Sequence, residues 1–322
     1  MVDKRIVVTR TVPESALDVL REVGEVHVCT QDRPLTPAEL REAVRGAHAV
    51  VAMLHDRIDA DLVGAAGPQL QVVANVAVGY DNIDVPAVTD RGVIVTNTPG
   101  VLVDATADLT IGLLLMVTRR LGEGERLLRA RQPWTFRLDF MLGTGLQGKV
   151  LGIVGLGGIG QAVARRARAF GMDVVYTGRR RAAADVESEL QARFLPIEEL
   201  LGTADVVSLH CPLTEQTRHL IDKPALAAMK PTAYLVNTSR GPVVDERALA
   251  EALRERRIAG AALDVFEREP EVEPELLELD NVVVVPHLGS ATTETRAAMV
   301  ELAARNVAAV LTGGAPLTPV RS

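Results

Sequence analysis

Gly155-Leu156-Gly157-Gly158-Ile159-Gly160 sets glycines at the spacing that lets a backbone wrap a pyrophosphate. Gly155 suits the tight turn, Gly157 the approach of the phosphates and Gly160 close helix-strand packing. Exposed N–H groups and the positive end of a following helix complement the phosphate charge. An NAD-binding unit places Asp or Glu about 20 residues further on, where it accepts hydrogen bonds from the adenosine ribose. Here that place holds Thr177-Gly178-Arg179-Arg180-Arg181, and the next acid is Asp185. A hydroxyl and rigid guanidinium forks at Thr177, Arg179 and Arg180 suit a 2′-phosphate. The run therefore predicts NADP(H) as the preferred dinucleotide, with NAD(H) also usable; a solvated arginine loop is the other reading.

Proton-transfer and anion-binding candidates lie elsewhere. Ligands of open α/β sheets bind beyond the carboxyl ends of strands, and three histidines stand at such ends by pattern: His55, His210 and His287. His287 follows Val282 to Pro286 and precedes Leu288-Gly289-Ser290, while His210 sits similarly in Ser208-Leu209-His210-Cys211-Pro212. Either can exchange a proton near neutrality, or serve only as a hydrogen-bonded structural group, and position leaves both open. Arg240, in Asn237-Thr238-Ser239-Arg240-Gly241, can clamp a carboxylate with paired donors. Glu269, in Phe266-Glu267-Arg268-Glu269-Pro270, reads by default as part of a solvated charged loop. His27, His48 and His219 read as surface or packing residues.

These side chains need a scaffold of parallel strands. Apolar runs alternate with helical patterns throughout, the mark of α/β units. Strands are expected at Arg5 to Thr9, Val26 to Cys29, Ala49 to Leu54, Val72 to Val76, Val93 to Thr96 and Val150 to Val154. Others are expected at Asp173 to Tyr176, Val206 to His210, Ala233 to Asn237, Ala261 to Val265 and Val282 to Val285. Thr36 and Glu39 form a capping box for a helix from Pro37 to Arg45. Two doubly wound sheets follow from this order. The break at Asn97-Thr98-Pro99-Gly100 marks a boundary. A helix from Leu102 to Leu121, apolar around most of its circumference, is expected to lie buried between domains or subunits. The last helix, Thr293 to Leu311, is expected to return to the first domain and make it discontinuous.

Composition narrows the classes. The 322 residues are 48% hydrophobic, enough for about two domains. A net charge of -7 with a single arginine run argues against nucleic acid as a partner. Two cysteines, Cys29 and Cys211, make neither a disulfide framework nor a metal-ligand cluster, so no metal is expected and a reducing cytoplasm is. The mixed-charge start, Met1-Val2-Asp3-Lys4-Arg5, does not read as a signal peptide, and the run Ile111 to Val117 is too short to span a bilayer, so no membrane partner is expected.

Taken in order, the motifs resemble the D-isomer-specific 2-hydroxyacid dehydrogenases along essentially the whole chain. The resemblance is carried by Val78-Gly79-Tyr80-Asp81-Asn82-Ile83-Asp84, Thr96-Asn97-Thr98-Pro99-Gly100, Ala105-Thr106-Ala107-Asp108 and the glycine turn. Asn237 to Gly241, Leu263 to Pro270 and Pro286 to Ser290 complete it. Tyr176-Thr177-Gly178-Arg179 and Pro286 to Thr292 look most like glyoxylate and glyoxylate/hydroxypyruvate reductases. The resemblance implies a Rossmann dinucleotide-binding domain, residues 100–287, inserted in a discontinuous flavodoxin-like substrate domain, residues 1–99 and 288–322. It implies His287 as the general acid, Glu269 as its partner and Arg240 as the clamp on a 2-oxoacid carboxylate. Val78 and Gly79 would hold that carboxylate through backbone N–H groups, with Leu54 lining the pocket. Gly155, Gly157, Gly158, Ile159, Gly160, Thr106, Pro212, Thr217, Thr238, Asp264 and Gly289 would contact the dinucleotide, and His210 becomes a cofactor-side residue. A homodimer is implied, in which Trp134, Phe136, Phe140 and Met141 either reach a neighbour's pocket or pack an interface. A short phosphoglycerate dehydrogenase and a dinucleotide-sensing corepressor-like protein remain the alternatives.

Overall fold

The computed structural model describes residues 4–320, so Met1, Val2 and Asp3 of the mixed-charge start lie outside the described residues. The chain forms two compact units: one takes in everything up to Leu102 and from Thr292 on, the other is Val103–Ala291. These limits stand a few residues beyond 99/100 and 287/288, and at the second of them hydrogen bonds tie Leu288 and Gly289 to Asp264 of the second unit.

The first unit holds five parallel strands, β1 (Arg5–Val8), β2 (Glu25–Val28), β3 (Ala49–Ala52), β4 (Val72–Asn75) and β5 (Ile94–Thr96), ordered β2-β1-β3-β4-β5. That order winds outward from β1 in both directions and fits the flavodoxin-like pattern, which puts the ligand edge at the carboxyl ends of the strands. Val7, Val50, Val73 and Val95 face the core beneath the helices Pro37–Ala43, Ala60–Ala66 and Val85–Thr89. The helix Thr293–Leu311 covers the opposite face against β3 and β4, beside Glu14–Arg21. The capping box forms as expected: Thr36 Oγ1 accepts from the Glu39 N–H, and the Glu39 carboxylate accepts from the Thr36 N–H.

The second unit has seven parallel strands: β6 (Val150–Val154), β7 (Asp173–Thr177), β8 (Ala192–Phe194), β9 (Val206–Leu209), β10 (Tyr234–Asn237), β11 (Gly260–Leu263) and β12 (Val282–Val284). Their order, β12-β11-β10-β9-β6-β7-β8, reverses direction between β6 and β9, where a Rossmann sheet opens its ligand crevice. Both faces are covered, so neighbouring residues serve opposite cores: Val207, Leu235 and Ala261 on one side, Val206, Val236 and Ala262 on the other. Strands buried on both faces read as unbroken apolar runs, which is why the sequence shows them plainly. β8, three residues long with Arg193 at its centre, escapes that pattern.

The long apolar helix departs from expectation. It ends at Thr118, and a second helix, Leu121–Arg129, follows after Arg120 adopts a left-handed φ of 55°. The Thr144 N–H returns to bond the Thr118 carbonyl at 2.8 Å and so takes over an acceptor that a continuing helix would use. Its buried residues, among them Ala107, Ile111, Leu113 and Leu114, belong to the core of their own unit, against the helix Gly158–Ala169, rather than needing a second domain to cover them. Among the described residues no helix is long and apolar enough to cross a membrane.

Candidate active site

At the end of β6 the chain turns sharply at Gly155, whose φ of 99° only glycine adopts readily. A Cβ there would come within 2.8 Å of the His210 backbone, so the turn is pressed against the end of β9. A Cβ on Gly160 would lie 2.2 Å from the Gly155 carbonyl oxygen, whereas one on Gly157 would meet nothing within 4 Å. Two glycines therefore serve packing, and the third leaves an open cradle before the helix Gly158–Ala169. No side chain caps that helix, and Gly157 and Gly158 are exposed. This is the arrangement a pyrophosphate fits.

Beyond β7 the arginine run divides. Arg181 is held by Glu187, whose carboxylate it meets at 2.8 and 2.9 Å and which also accepts from the Tyr176 hydroxyl. Arg179 and Arg180 are exposed, and neither forms an ion pair among the described residues. Thr177, closing the strand, is buried.

His287 and Glu269 meet. Nδ1 of the histidine lies 2.9 Å from Glu269 Oε2, and Glu269 Oε1 accepts from the Phe266 N–H at 3.1 Å. A carboxylate only accepts, so the proton of this bond sits on Nδ1 and leaves Nε2 for exchange. His287 is itself left-handed, at φ 52°, and its N–H donates to the Asp264 carbonyl at 2.8 Å. The buried Asp264 carboxylate accepts from the N–H groups of Leu288 and Gly289. Burial pushes that carboxyl up, against the pull of the Leu288 N–H and of His287. Asp264 thus acts as the anchor of the turn carrying His287 and turns both oxygens toward the protein.

The rival histidine differs chemically. His210 Nε2 lies 2.8 Å from Ser208 Oγ and Nδ1 is buried without a partner, so burial pushes the ring down to about 3. It stays neutral near pH 7 and has no proton to donate from an imidazolium.

Arg240 follows β10 through a small polar turn. Asn237 Oδ1 accepts from the Ser239 N–H and hydroxyl at 3.0 and 2.9 Å, and Asn237 Nδ2 donates to the Arg240 carbonyl at 3.0 Å. A Cβ on Gly241 would fall 1.8 Å from the Phe266 carbonyl carbon, so the Arg240 loop and the loop leading to Glu269 touch backbone to backbone. The Thr238 hydroxyl lies 3.0 Å from that of Thr110, whose own oxygen reaches the Thr106 carbonyl, and Thr106 Oγ1 donates to the Gly289 carbonyl at 3.2 Å. Pro212 and Thr217 lie past β9, joined by a 2.7 Å bond from the threonine hydroxyl to the proline carbonyl.

In the first unit, Val78 and Gly79 follow β4, and Leu54 follows β3. Asn75 Nδ2 donates to the Gly79 carbonyl at 2.9 Å, and Asn97 Nδ2 to that of Val78 at 2.8 Å. Asn82 Nδ2 joins the same loop to the Met53 and Asp56 carbonyls at 3.3 and 2.9 Å. Three asparagines are among the side chains that shape this edge, with the Asp56 carboxylate, which accepts from the Met53 N–H at 2.7 Å.

The sequence reading missed several of these supports. Thr110, one helical turn after Thr106, could have been found by that spacing; Asn75 and Asn237 end strands as buried amides, a weaker signal. His219, read as surface or packing, pairs through Nε2 with Glu267 at 2.6 Å.

Comparison with known proteins places these observations among relatives. Residues 111–289 match the model of the D-isomer specific 2-hydroxyacid dehydrogenase NAD binding domain. A glyoxylate reductase of Thermococcus onnurineus is 49% identical over 322 residues, covering 98% of this chain and 95% of its own. The crystal structure of a protein from Thermus thermophilus is 47% identical with a TM-score of 0.91, covering 98% of this chain and all of that one. An NADPH-dependent glyoxylate/hydroxypyruvate reductase from Sinorhizobium meliloti, solved with NADP and malonate, is 35% identical with a TM-score of 0.85, over 98% of this chain and 96% of its own.

Proposed function

The chain belongs to the D-isomer-specific 2-hydroxyacid dehydrogenase family, and from that premise we propose that it reduces glyoxylate and hydroxypyruvate with NADPH as the preferred reductant. The observation that carries the reading is the His287–Glu269 pair, oriented through Nδ1 on the same sheet edge as the glycine cradle. Gly155, Gly157, Gly158, Ile159 and Gly160 would hold the pyrophosphate, and Thr106, Pro212, Thr217, Thr238, Asp264 and Gly289 would line the nicotinamide side. The bound dinucleotide supplies the hydride that reduces the carbonyl carbon.

Arg240 grips the oxoacid carboxylate with paired donors and aligns its carbonyl. Within the first unit, the N–H groups of Val78 and Gly79 are the candidates for holding an oxoacid carboxylate, with Leu54 bordering them. As charge builds on the carbonyl oxygen, His287 delivers a proton from Nε2, which lowers the barrier to forming the hydroxyl. Glu269 fixes the ring and balances the charge of its protonated form. In the oxidation direction the neutral ring takes the hydroxyl proton back.

The split arginine run supports the choice of NADPH: Glu187 occupies Arg181 and leaves Arg179 and Arg180 for a 2′-phosphate. Steady-state rates with glyoxylate, hydroxypyruvate, pyruvate and phosphohydroxypyruvate, each with NADPH and NADH, test the assignment. Turnover with glyoxylate and hydroxypyruvate should dominate; cofactor binding without turnover would refute it. In Arg179→Ala/Arg180→Ala, KM for NADPH should rise about tenfold or more, as expected for losing a charge-assisted hydrogen bond. KM for NADH should hardly move. Equal losses with both would make the loop structural.

We also infer a homodimer. Trp134, Phe136, Leu138 and Leu142 are exposed within a short stretch, an apolar patch that a second copy would cover. Sedimentation should return twice the chain mass, and Phe136→Glu/Leu138→Glu should return the single-chain mass; a monomeric parent protein would dispose of the idea. Cys29 is a free cysteine, as is Cys211, whose thiol burial pushes up to about 11, in keeping with a reducing cytoplasm.

A further inference from the structure

The helix Thr293–Leu311 presents Met299, Val300, Ala303, Ala304, Val307 and Val310 to its core, yet Asn306 stands among them at 0% exposure. An amide so placed must satisfy its hydrogen bonds inside the protein. Its Nδ2 donates to the Leu302 carbonyl at 2.9 Å and to Thr318 Oγ1 at 2.8 Å, while Oδ1 accepts from the N–H groups of Leu317 and Thr318 at 2.9 and 3.0 Å. Every bond but the first goes to the segment Leu317-Thr318. The Thr318 hydroxyl then donates to the Asn97 carbonyl at 2.6 Å, and the Asn97 N–H donates to the Thr318 carbonyl at 3.2 Å. From there Asn97 Nδ2 reaches the Val78 carbonyl, and the Thr98 N–H reaches that of Ala77 at 2.9 Å.

We propose that Asn306 and Thr318 are positioning residues which, through Asn97, set the Val78–Gly79 loop for its oxoacid. The effect on substrate rests on the reading above, in which the Val78 and Gly79 N–H groups hold the carboxylate. The connection runs in one direction: Asn306 amide to Thr318 hydroxyl, hydroxyl to Asn97 carbonyl, Asn97 amide to Val78 carbonyl. The Asn306–Thr318 and Thr318–Asn97 bonds share one hydroxyl and polarise one another, so removing it abolishes both and loosens the Asn97 backbone, whose side-chain amide holds the Val78 carbonyl. Packing alone gives no reason for an amide at 306, where leucine would fill an apolar face.

Thr318→Val removes the hydroxyl while keeping the shape, and Thr318→Ser keeps the hydroxyl while losing a methyl. Thr318→Val should raise KM for glyoxylate roughly fivefold, the effect of one buried hydrogen bond, and should speed hydrogen exchange at the Asn97 and Thr98 amides. The NADPH dissociation constant should stay as in the parent, and Thr318→Ser should behave like the parent in all three. Asn306→Leu should shift KM and exchange in the same direction as Thr318→Val. Parent-like exchange in Thr318→Val would overturn the clamp, as would equal losses in Thr318→Val and Thr318→Ser. Faster exchange with unchanged KM would support the clamp and remove Val78 and Gly79 from the carboxylate site.

Discussion

His287→Ala is expected to lower kcat for glyoxylate reduction by about 10²- to 10⁴-fold, the range that a positioned general acid contributes, with the NADPH dissociation constant unchanged. The cause is geometric. Glu269 accepts the hydrogen bond from Nδ1–H and orients the ring, so of the two ring nitrogens Nε2 is left to serve the reacting oxygen. No second histidine at this sheet edge can replace it, because burial holds His210 at about 3 and hence neutral near pH 7. Steady-state kinetics beside a fluorescence titration of NADPH separates the two quantities. Near-parent turnover would remove His287 from the reaction; lost NADPH binding would mean that the variant had damaged the turn held by Asp264 and not the proton donor alone.

The second large effect belongs to Arg240. Arg240→Ala should reduce kcat/KM for the oxoacid on the order of 10²-fold, since two charge-assisted hydrogen bonds at about 1.5 kcal/mol each disappear from the transition state. Arg240→Lys should recover only part of it: an ammonium restores the charge but not the planar fork that fixes the carbonyl direction. Lost charge alone would let lysine restore nearly everything, so full rescue by lysine would rule out orientation as the role of the guanidinium. KM and kcat should both move, because the same fork binds the carboxylate and aligns the carbonyl. A response to oxoacid concentration identical to that of the parent would exclude the clamp.

Much of this was readable in the residues, and the reason differs by element. β6 and the turn after it announce themselves because five apolar residues run straight into glycines whose spacing has one economical explanation. β9 to β12 are equally plain, being buried on both faces. The break at Arg120 was hidden: it depends on Thr144 returning to Thr118, a contact between residues far apart in sequence. β8 was hidden by its brevity and its arginine. For the site, strand-end position leaves both His210 and His287 open with a small lean to His287, the resemblance selects His287, and three-dimensional burial supplies the chemical difference between them. By residue type Glu269 is one charge among several and only the resemblance singles it out; its two oxygens bridge Phe266 and His287. Asp264, which the resemblance puts beside the dinucleotide, also accepts from the backbone of Leu288 and Gly289, a support that no pattern of residue types discloses. Local chemistry is legible in sequence; the supports that make it accurate come from distant segments.

The left-handed backbone at His287 has a consequence for how this protein can change. A side chain in that region carries roughly 1–2 kcal/mol of steric strain that glycine, and to a lesser degree asparagine, avoids. Backbone preference and proton transfer therefore pull position 287 toward different residues. Selection for heat tolerance alone would let it drift toward those two residues, and selection for turnover would hold the imidazole in place. Libraries screened only for thermal survival should lose activity at this turn early, even while the fold around it grows more robust.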